Sequence, residues 1–563
     1  MPESKANPEQ ATKDWRPRTI AIAEILAIVG LLFLCAGWPT PEINEAHYLC
    51  KAKHFWQPEW CPNDHFLSSA DAHWVFYWTI GWLTLVMPLP VVAWVGRCIG
   101  WLMLAWSWRR FSFALLPKPF LSVLSAAAFF ALTLQAHMAG EWIVGGIEAK
   151  TFAFVLVFLG LEALVKGLWN RVWLMFGAAS AFHVLVGGWS VVAAGFCWMI
   201  ECAISIVQEK PKPPFVKMLP GLVGGGLFSL FGLVPAAMLS RAADAQVSAQ
   251  AAKIYVYERL PHHLVFHTFE PPLIIRHATL LIVWIALCFV VRTDESSRRW
   301  RGYVWGAVVI GVLGIVIDLA TLNNPELGAK LLRFYWFRLS DIMLPAGVAI
   351  GSIALVYQAI KDECVDLVVA LTTIGVLAAI GSGIHIHSRY HQWVGDPEFA
   401  VEHYKYDDWQ ATCEWIRENT EPDAIFLTPM RQQTFKWYGH RAEVVSRKDI
   451  PQDAPGVIEW QRRYHDVFDS GDPDPELRWR ATIAENTAEE IAELQKKYNF
   501  QYVVLDRKRL RFGKIHHREN LYQVYPQFPT VNDSYRVYRY GIPAMEKPDP
   551  RELRRQGRQE ATR

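Results

Sequence analysis

Acidic side chains and a histidine stand in the first polar stretch of this 563-residue chain, at the edge of a long apolar segment. The stretch 39–73 contains Glu45, His47 and Asp64. A carboxylate in such a place can act as general base for a hydroxyl group or bind a divalent cation. Ionisable groups beside an apolar phase are costly and often functional. Each of these residues also fits an ordinary solvated loop, and the sequence leaves both interpretations open.

A second polar stretch, 139–150, contains two more carboxylates and a lysine. Glu141 and Glu148 lie on either side of a pair of glycines, and Lys150 precedes the next apolar segment. Glycine permits a tight turn or the close approach of another group to the backbone. The pattern therefore indicates either a catalytic carboxylate, Glu148, beside a phosphate-binding Lys150, or a helix end with interfacial charges.

The third and fourth polar stretches, 240–274 and 322–340, supply imidazole and guanidinium groups. Imidazoles transfer protons, bind metals or contact phosphate, and arginine binds phosphate through a planar fork of donors. Arginines beside aromatic residues can also extend to lipid headgroups, so the phosphate-binding hypothesis has a structural alternative. The candidates for substrate or phosphate binding in these stretches are Arg259, His262, His263, Arg333 and Arg338.

Long apolar segments dominate residues 18–390, although only 52% of the whole chain is hydrophobic. A bilayer core about 30 Å thick requires about 20 apolar residues in a helix, and many segments approach or reach that length. The sequence predicts a polytopic α-helical membrane domain with candidate spans at 18–37, 91–108, 119–138, 151–166, 172–188, 190–207, 218–239, 275–291, 303–321, 341–360 and 365–386.

The distribution of lysine and arginine predicts the orientation of these spans. With the tail 1–17 in the cytoplasm, the basic loops at 109–118, 166–171, 210–217, 292–301 and 361 all return to the cytoplasm, as the positive-inside rule requires. The segment 73–89 would reverse every later loop if it crossed the bilayer, so we expect a helix lying in the interface within the outer loop 38–90. This gives about eleven crossings in a multi-pass protein of the cell inner membrane, with the C-terminus outside.

Residues 391–545 alternate helix and strand patterns and predict a small periplasmic α/β domain, while 546–563 are charged and predicted to be disordered. The net charge of +2 gives no strong attraction to nucleic acid. The nine cysteines include no CxxC pair, which gives no support to a zinc site. Cys50 and Cys61 share a polar loop, and a disulfide between them is left open.

The layout resembles the GT-C superfamily, the multi-spanning glycosyltransferases that use lipid-phosphate-linked sugars. The similarity rests on PEINEAHYL, which contains Glu45, on the helix expected at 73–89, on Arg97 at the next span, and on WIRENTEPDAIFLTP at 415–429. It implies a polyprenyl-phosphate sugar donor, a glycan, lipid or protein acceptor, and inverting transfer on the outer face. Asn44 departs from the Asp-Glu pair with which the superfamily's acidic motif often begins.

The same resemblance implies roles for individual residues. Glu45, with Glu148, would be catalytic and activate the acceptor, and Arg333 or Arg338 would hold the lipid phosphate. If a divalent cation such as Mg²⁺ or Mn²⁺ takes part, Glu45, Asp64 or Glu148 would be its ligands. Two other functions remain as alternatives, a transporter of a lipid-linked substrate and a non-enzymatic assembly or binding protein. A transporter predicts ionisable groups deep in the spans and paired broken helices, whereas the charged candidates lie in outer loops.

Overall fold

The computed structural model describes residues 8–209, 215–241, 243–366, 406–474, 477–506 and 520–541, with five isolated residues between 367 and 384. The chain divides into two compact units. The first contains Met1–Tyr48, Asp71–Glu398 and Asp453–Pro455, and the second contains Leu49–Ala70, Phe399–Gln452 and Gly456–Arg563.

The first unit is helical. Its helices are α1 (Pro8–Ala36), α2 (Glu45–Trp56), α3 (Trp74–Thr79), α4 (Leu89–Leu115), α5 (Leu121–Ala136), α6 (Ala149–Val165), α7 (Trp169–Phe182), α8 (Val184–Val207), α9 (Phe215–Arg241), α10 (Ala245–Lys253), α11 (Pro261–Leu264), α12 (Pro271–Val290), α13 (Glu295–Ala320), α14 (Pro325–Leu332) and α15 (Arg338–Lys361). Helix α2 starts in the first unit and ends in the second, which begins at Leu49. Short turns of 3₁₀ or π geometry lie at Gly81–Leu85, Ile254–Arg259 and Phe266–Thr268.

Seven helices in the described part of the chain are long and apolar enough to cross a bilayer, namely α1 from Pro17, α4, α8, α9 to Leu239, α12, α13 and α15. The chain is therefore a polytopic α-helical membrane protein. The spans predicted at 119–138, 151–166 and 172–188 coincide with α5, α6 and α7, which have only 16, 17 and 14 residues. Most of the eleventh predicted span, 365–386, lies outside the described residues.

Two predicted helices are broken. The interfacial helix expected over 73–89 is instead the short α3 followed by a 3₁₀ turn at Gly81–Leu85, with Phe76 and Tyr77 buried. The span expected over 172–188 ends at Phe182, and α8 begins after an extended His183. A side chain at Gly187 would lie 2.2 Å from the backbone nitrogen of Ser180, so only glycine allows α8 to start so close to α7.

Paired charges lie at the basic ends of the helices. Glu24 of α1 accepts a hydrogen bond from Arg109 at 2.9 Å, Glu162 accepts from Arg110 at 2.7 Å, and Glu201 accepts from Arg298 at 2.7 Å. Each arginine is one that the sequence assigned to a cytoplasmic loop. The pairs satisfy carboxylates that would otherwise be costly beside an apolar phase.

The second unit is an α/β domain, as the sequence predicted. Its helices are α16 (Tyr406–Asn419), α17 (Phe435–Gly439), α18 (Ala454–Phe468, which starts in the first unit) and α19 (Ala488–Tyr498), and its strands are β1 (Ile425–Leu427), β2 (Ala442–Glu443), β3 (Tyr502–Asp506), β4 (Leu521–Tyr525) and β5 (Tyr535–Tyr540). The described strands form one sheet in the order β2-β1-β3-β5-β4. β1 is parallel to β2 and β3, with Phe426 opposite Tyr502, and β5 is antiparallel to β3 and β4.

Helix α16 covers the sheet with the residues that its spacing predicted. Trp409, Cys413 and Ile416 are buried in one cluster with Phe426. The second unit also includes Leu49–Ala70, which the sequence placed in the first outer loop of the membrane domain. Cys50 and Cys61 are both buried, free thiols, so the disulfide that the sequence left open is not formed in this structure.

Candidate active site

Glu45, the first residue of α2, forms a buried ion pair with Arg97 of α4. The Nε and Nη2 atoms of Arg97 each donate to one oxygen of the Glu45 carboxylate at 2.6 Å, and both side chains are fully buried. The carboxylate also accepts from the backbone N–H of Ile147 at 3.0 Å and of Glu42 at 2.8 Å. This environment favours a structural role for Glu45, because every lone pair that a base would use is already occupied.

A glycine makes this pairing possible. A side chain on Gly146 would lie 2.5 Å from the Cγ of Glu45, so the loop that follows α5 closes against α2 only because residue 146 has none. Of the two glycines that the sequence analysis noted, Gly146 is therefore the one that allows another residue to approach the backbone closely. The approach joins the loop 137–148 to the start of α2.

Asp341 anchors the same loop from α15. Its fully buried carboxylate accepts hydrogen bonds from the backbone N–H groups of Met138 at 2.9 Å, Ala139 at 2.8 Å and Glu141 at 3.4 Å. The Nδ1 of His277 lies 3.7 Å from one of its oxygens. Because the loop is tied at these backbone positions, the direction of the Glu141 side chain is fixed.

Glu141 binds Arg338, the first residue of α15. The Nε of Arg338 donates to Glu141 at 2.8 Å, and its Nη1 lies 3.0 Å from the Nε2 of His183. A guanidinium group can only donate, so the Nε2 of His183 is the acceptor. The guanidinium also stacks on Tyr335, 3.9 Å from the ring centroid. Arg338 is thus held on three sides, which leaves its Nη2 without a hydrogen-bond acceptor among the residues that the structure describes.

Lys150, in the first turn of α6, completes the cluster. Its Nζ lies 3.7 Å from Glu141 and 3.5 Å from Glu148, and its side chain is 6% exposed. These distances are longer than the 2.7–2.9 Å or so of a charge-assisted hydrogen bond. The ammonium also lies 3.8 Å from the ring centroid of Trp142. Lys150 is therefore a buried cation whose donors are not used in direct hydrogen bonds within the described part of the chain.

The electrostatics of the cluster keep Glu141 ionised. Burial opposes its charge, but Arg338 and Lys150 outweigh this and hold the pKa of Glu141 below its ordinary value. Glu148 is held by Asn44, whose Nδ2 donates to it at 3.1 Å. We refer to Glu141, Glu148, Lys150 and Arg338 as the ionic cluster. Its two cations and two carboxylates compensate each other, so the cluster does not incur the cost of burying an unpaired charge.

Neutral imidazoles and aromatic rings surround the ionic cluster. His73 lies 6.0 Å from the ring of His183 and 5.1 Å from that of Tyr48, measured between centroids. The Nδ1 of His263 donates to the carbonyl of Ala139 at 2.5 Å. Burial lowers the pKa of both His73 and His263 to about 4, so both rings are neutral at physiological pH.

The structure brings several of the predicted site residues together. Glu148, Lys150 and Arg338 belong to the ionic cluster. Glu45 accepts a hydrogen bond from the loop 137–148 at Ile147, and His263 donates to the same loop at Ala139. His47 is in ring contact with Tyr48. Their catalytic and binding roles stay predictions.

Other predicted residues lie elsewhere. His262 and Arg333 are exposed, and Arg333 lies over the ring of Phe334. Arg259 ends the π-helical turn. Asp64 belongs to the second unit, where it lies 3.6 Å from the Nζ of the buried Lys436.

Sequence reasoning assigned no site role to Glu141, Asp341 and His183. Asp341 had a detectable signal, because an ionisable residue at the edge of a predicted span is costly and seldom without a partner. For Glu141 the signal was its position between two apolar segments, which it shared with many other acids. Nothing in the pattern indicated that the chain would break at His183.

The predicted Mg²⁺ or Mn²⁺ ligands do not fit such an ion here. Glu45 is saturated by Arg97 and backbone donors, Glu148 faces Lys150, and Asp64 faces the buried ammonium of Lys436. No group of three His, Cys, Asp or Glu side chains suited to a metal is present among the described residues. We therefore derive no chemical step through a metal ion.

Comparisons with known proteins add little about activity. A family described as a domain of unknown function (DUF6798) matches residues 407–467, in α16 to α18. No curated protein matches the chain. Among solved structures, the oligosaccharyltransferase of Archaeoglobus fulgidus, in complex with zinc and sulfate, is 12% identical; the match covers 86% of this chain and 68% of that one, with a TM-score of 0.44. A likeness at this level is too low for the fold or activity of that enzyme to be transferred.

Proposed function

We propose that this chain is a membrane glycosyltransferase that moves a sugar from a polyprenyl-phosphate donor to an acceptor hydroxyl. The observation that carries the proposal is the pair of cations in the ionic cluster, Arg338 with its side chain 11% exposed and Lys150 with its side chain 6% exposed. Both have donors that the described protein groups do not use, and both are held in place by Glu141. The GT-C resemblance supplies the donor class, and the acceptor would be a glycan, a lipid or a protein.

The cluster has the chemistry that a lipid phosphate requires. Arginine and lysine donors suit phosphate oxygens, and a buried setting strengthens their attraction to an anion. Glu141 and Glu148 neutralise the two cations when no phosphate is bound, which limits the cost of burying them. The rings of Tyr335 and Trp142, which lie against the two cations, offer flat surfaces against which a sugar can pack.

The position of the cluster supports transfer on the outer face. Lys150 and Arg338 lie in the first turns of α6 and α15, whereas Glu162, the partner of Arg110, lies in the last turn of α6. The 17 residues of α6 rise about 25 Å, close to the thickness of a bilayer core. With the basic loops in the cytoplasm, the cluster would face the periplasm of an inner-membrane protein, and the C-terminal domain would lie on that side.

In the proposed reaction the cations hold the leaving group. The acceptor oxygen attacks the anomeric carbon from the face opposite the phosphate, which inverts its configuration. The bond from that carbon to the phosphate oxygen breaks with its electron pair, and Arg338 and Lys150 stabilise the charge that develops on the phosphate. The remaining acceptor proton requires a base.

Binding of the lipid carrier tests the proposal before any sugar is known. Native mass spectrometry of the full chain would be recorded with undecaprenyl phosphate and with undecaprenol. We expect the phosphate to be retained in preference to the alcohol, and Arg338→Gln combined with Glu141→Gln to abolish that preference while keeping the charge of the cluster balanced. Arg276→Gln, an exposed arginine of α12, is the matched control. Equal retention of both lipids, or a preference unchanged by the double variant, would overturn the proposal.

A further inference from the structure

Asp318 and His267 form a dyad outside the ionic cluster. Asp318 lies near the C-terminal end of α13, and His267 lies in the 3₁₀ turn Phe266–Thr268. The Nδ1 of His267 lies 3.0 and 3.2 Å from the two carboxylate oxygens. The backbone N–H of His267 donates to the same carboxylate at 3.0 Å. One aspartate therefore holds both the ring and the backbone of one histidine.

The dyad presents one nitrogen outward. A carboxylate accepts, so the Nδ1 of His267 carries the proton and its Nε2 has the lone pair when the ring is neutral. The Asp318 side chain is 2% exposed, while that of His267 is 43% exposed. No group among the described residues binds the Nε2 of His267. A buried carboxylate that orients an imidazole and leaves its Nε2 accessible is the arrangement in which histidine acts as a general base.

A purely structural role explains only part of this geometry. Anchoring the turn requires just the backbone hydrogen bond from His267, and an exposed ring contributes little burial. Pairing with the buried carboxylate of Asp318 engages only the Nδ1 of the ring, so it gives no structural task to the exposed Nε2. The ring is thus held in one orientation where it remains open to other molecules.

The turn that carries His267 is packed against the start of α15. Phe266 and Phe269 flank it in sequence, and their rings lie 6.5 and 5.2 Å from that of Phe337 between centroids. Phe337 directly precedes Arg338. The dyad and the phosphate-binding cation are therefore attached to neighbouring positions at the same end of the helical unit.

We infer that His267 is the general base of the proposed transfer, and that Asp318 positions it. This inference rests on the proposed function. The Nε2 of His267 takes the proton of the acceptor hydroxyl as its oxygen bonds to the anomeric carbon, and the polyprenyl phosphate leaves with the electron pair. The role that the sequence gave to Glu45 passes to His267, because Glu45 is fully buried and saturated by Arg97.

A substrate-independent measurement tests the dyad itself. Diethyl pyrocarbonate modifies an accessible, unprotonated imidazole nitrogen, and mass spectrometry of the full chain locates the product. We expect His267, which is exposed, to react faster than the half-buried His263 and His73, and its rate to fall in Asp318→Asn. An unreactive His267, or a rate that is the same in Asp318→Asn, would overturn the dyad whatever the activity of the protein.

Turnover tests the catalytic role. Undecaprenyl-phosphate-linked glucose, galactose and mannose would be offered with octyl glucoside as acceptor. We expect His267→Ala to lower kcat about 100-fold or more, with KM unchanged and with partial rescue by added imidazole. The control Glu270→Gln, an exposed residue beside the turn, should keep wild-type activity. Activity of His267→Ala within about threefold of wild type would refute the role of His267 and leave the proposed function intact. If the wild-type protein shows neither turnover nor lipid-phosphate binding, the proposed function is refuted, and the catalytic role of His267 with it.

Discussion

Replacing Glu45 by Gln should destabilise the protein severely, because it leaves Arg97 buried without a counter-ion. Both side chains are fully buried, and the carboxylate accepts two hydrogen bonds at 2.6 Å from the guanidinium. Breaking a buried ion pair by removing one partner costs about 3–5 kcal/mol. The amide introduced by this substitution has only one oxygen, so its NH2 group faces the backbone N–H of either Glu42 or Ile147, which each bind a different oxygen of the carboxylate. We therefore expect a loss toward the upper end of that range.

A double-mutant cycle isolates the pair. Arg97→Met alone leaves the carboxylate unpaired, whereas Glu45→Gln with Arg97→Met removes both charges, so the double variant should lose about 2 kcal/mol less than the sum of the single losses. Unfolding of the full chain by sodium dodecyl sulfate in mixed micelles, followed by tryptophan fluorescence, gives the free energies. The matched control is Glu326→Gln, whose partner Lys253 lies 3.2 Å away in an exposed pair and whose loss should cost less than about 1 kcal/mol.

The cycle also decides the role that the sequence gave to Glu45. A structural role for Glu45 requires a large loss of stability that is coupled to Arg97. If Glu45→Gln is as stable as wild type, folds normally and has lost only sugar transfer, the carboxylate is catalytic and our reasoning about its saturation is refuted.

Three further predictions concern other buried polar groups. Asp341→Asn should lower the free energy of unfolding by about 1–3 kcal/mol, because it leaves a backbone N–H without a good acceptor. Amide hydrogen exchange should then accelerate in the loop that Asp341 anchors. Unchanged protection of that loop would contradict the role of Asp341 as its anchor. The pKa of His73 and of His263 is lowered to about 4, so the stability that they contribute is present above pH 6.5 and is lost as the pH falls toward 4, by about 2–3 kcal/mol each at about pH 4.5. A detergent unfolding series should show a shallower pH dependence of stability when both are replaced by Gln. An unaltered slope would show that these rings do not stay neutral in the folded protein. Lys436→Met should destabilise the second unit by about 3–5 kcal/mol, because three carboxylates lose the ammonium group that compensates them. Limited proteolysis should then cleave the second unit more readily in this variant than in the exposed control Lys497→Met. Equal cleavage of the two variants would show that the buried pairs do not stabilise the unit.

Length and apolarity predicted where the long helices lie, because a span is a local property of the sequence. The same reasoning failed at 73–89 and at His183. A break in an apolar helix depends on what packs beside it, such as the contact of Gly187 with Ser180. The α/β domain was predictable from its alternating patterns, but the inclusion of Leu49–Ala70 in the second unit was not, because a distant segment joins it through tertiary contacts.

In the candidate site, the position of a cation beside a helix end could be read from the sequence, whereas the partner of each charged side chain could not. Lys150 and Arg338 were singled out because cations at such places suit phosphate, and the structure brings them into one cluster with Glu141, while their binding role stays a prediction. Glu45 and Arg97 are 52 residues apart, and only the folded structure shows that the expected base is already neutralised by this arginine. The dyad of His267 and Asp318 was equally hidden, since its partners are 51 residues apart and come together only when the turn folds against α13.

The position of the bound lipid phosphate decides whether the ionic cluster binds the donor. A cryo-electron microscopy map of the full chain with undecaprenyl phosphate would locate it. We expect phosphate density within hydrogen-bonding distance of the Nη2 of Arg338 and the Nζ of Lys150. Phosphate density at Arg110 or Arg298, with none at the ionic cluster, would refute the proposed function.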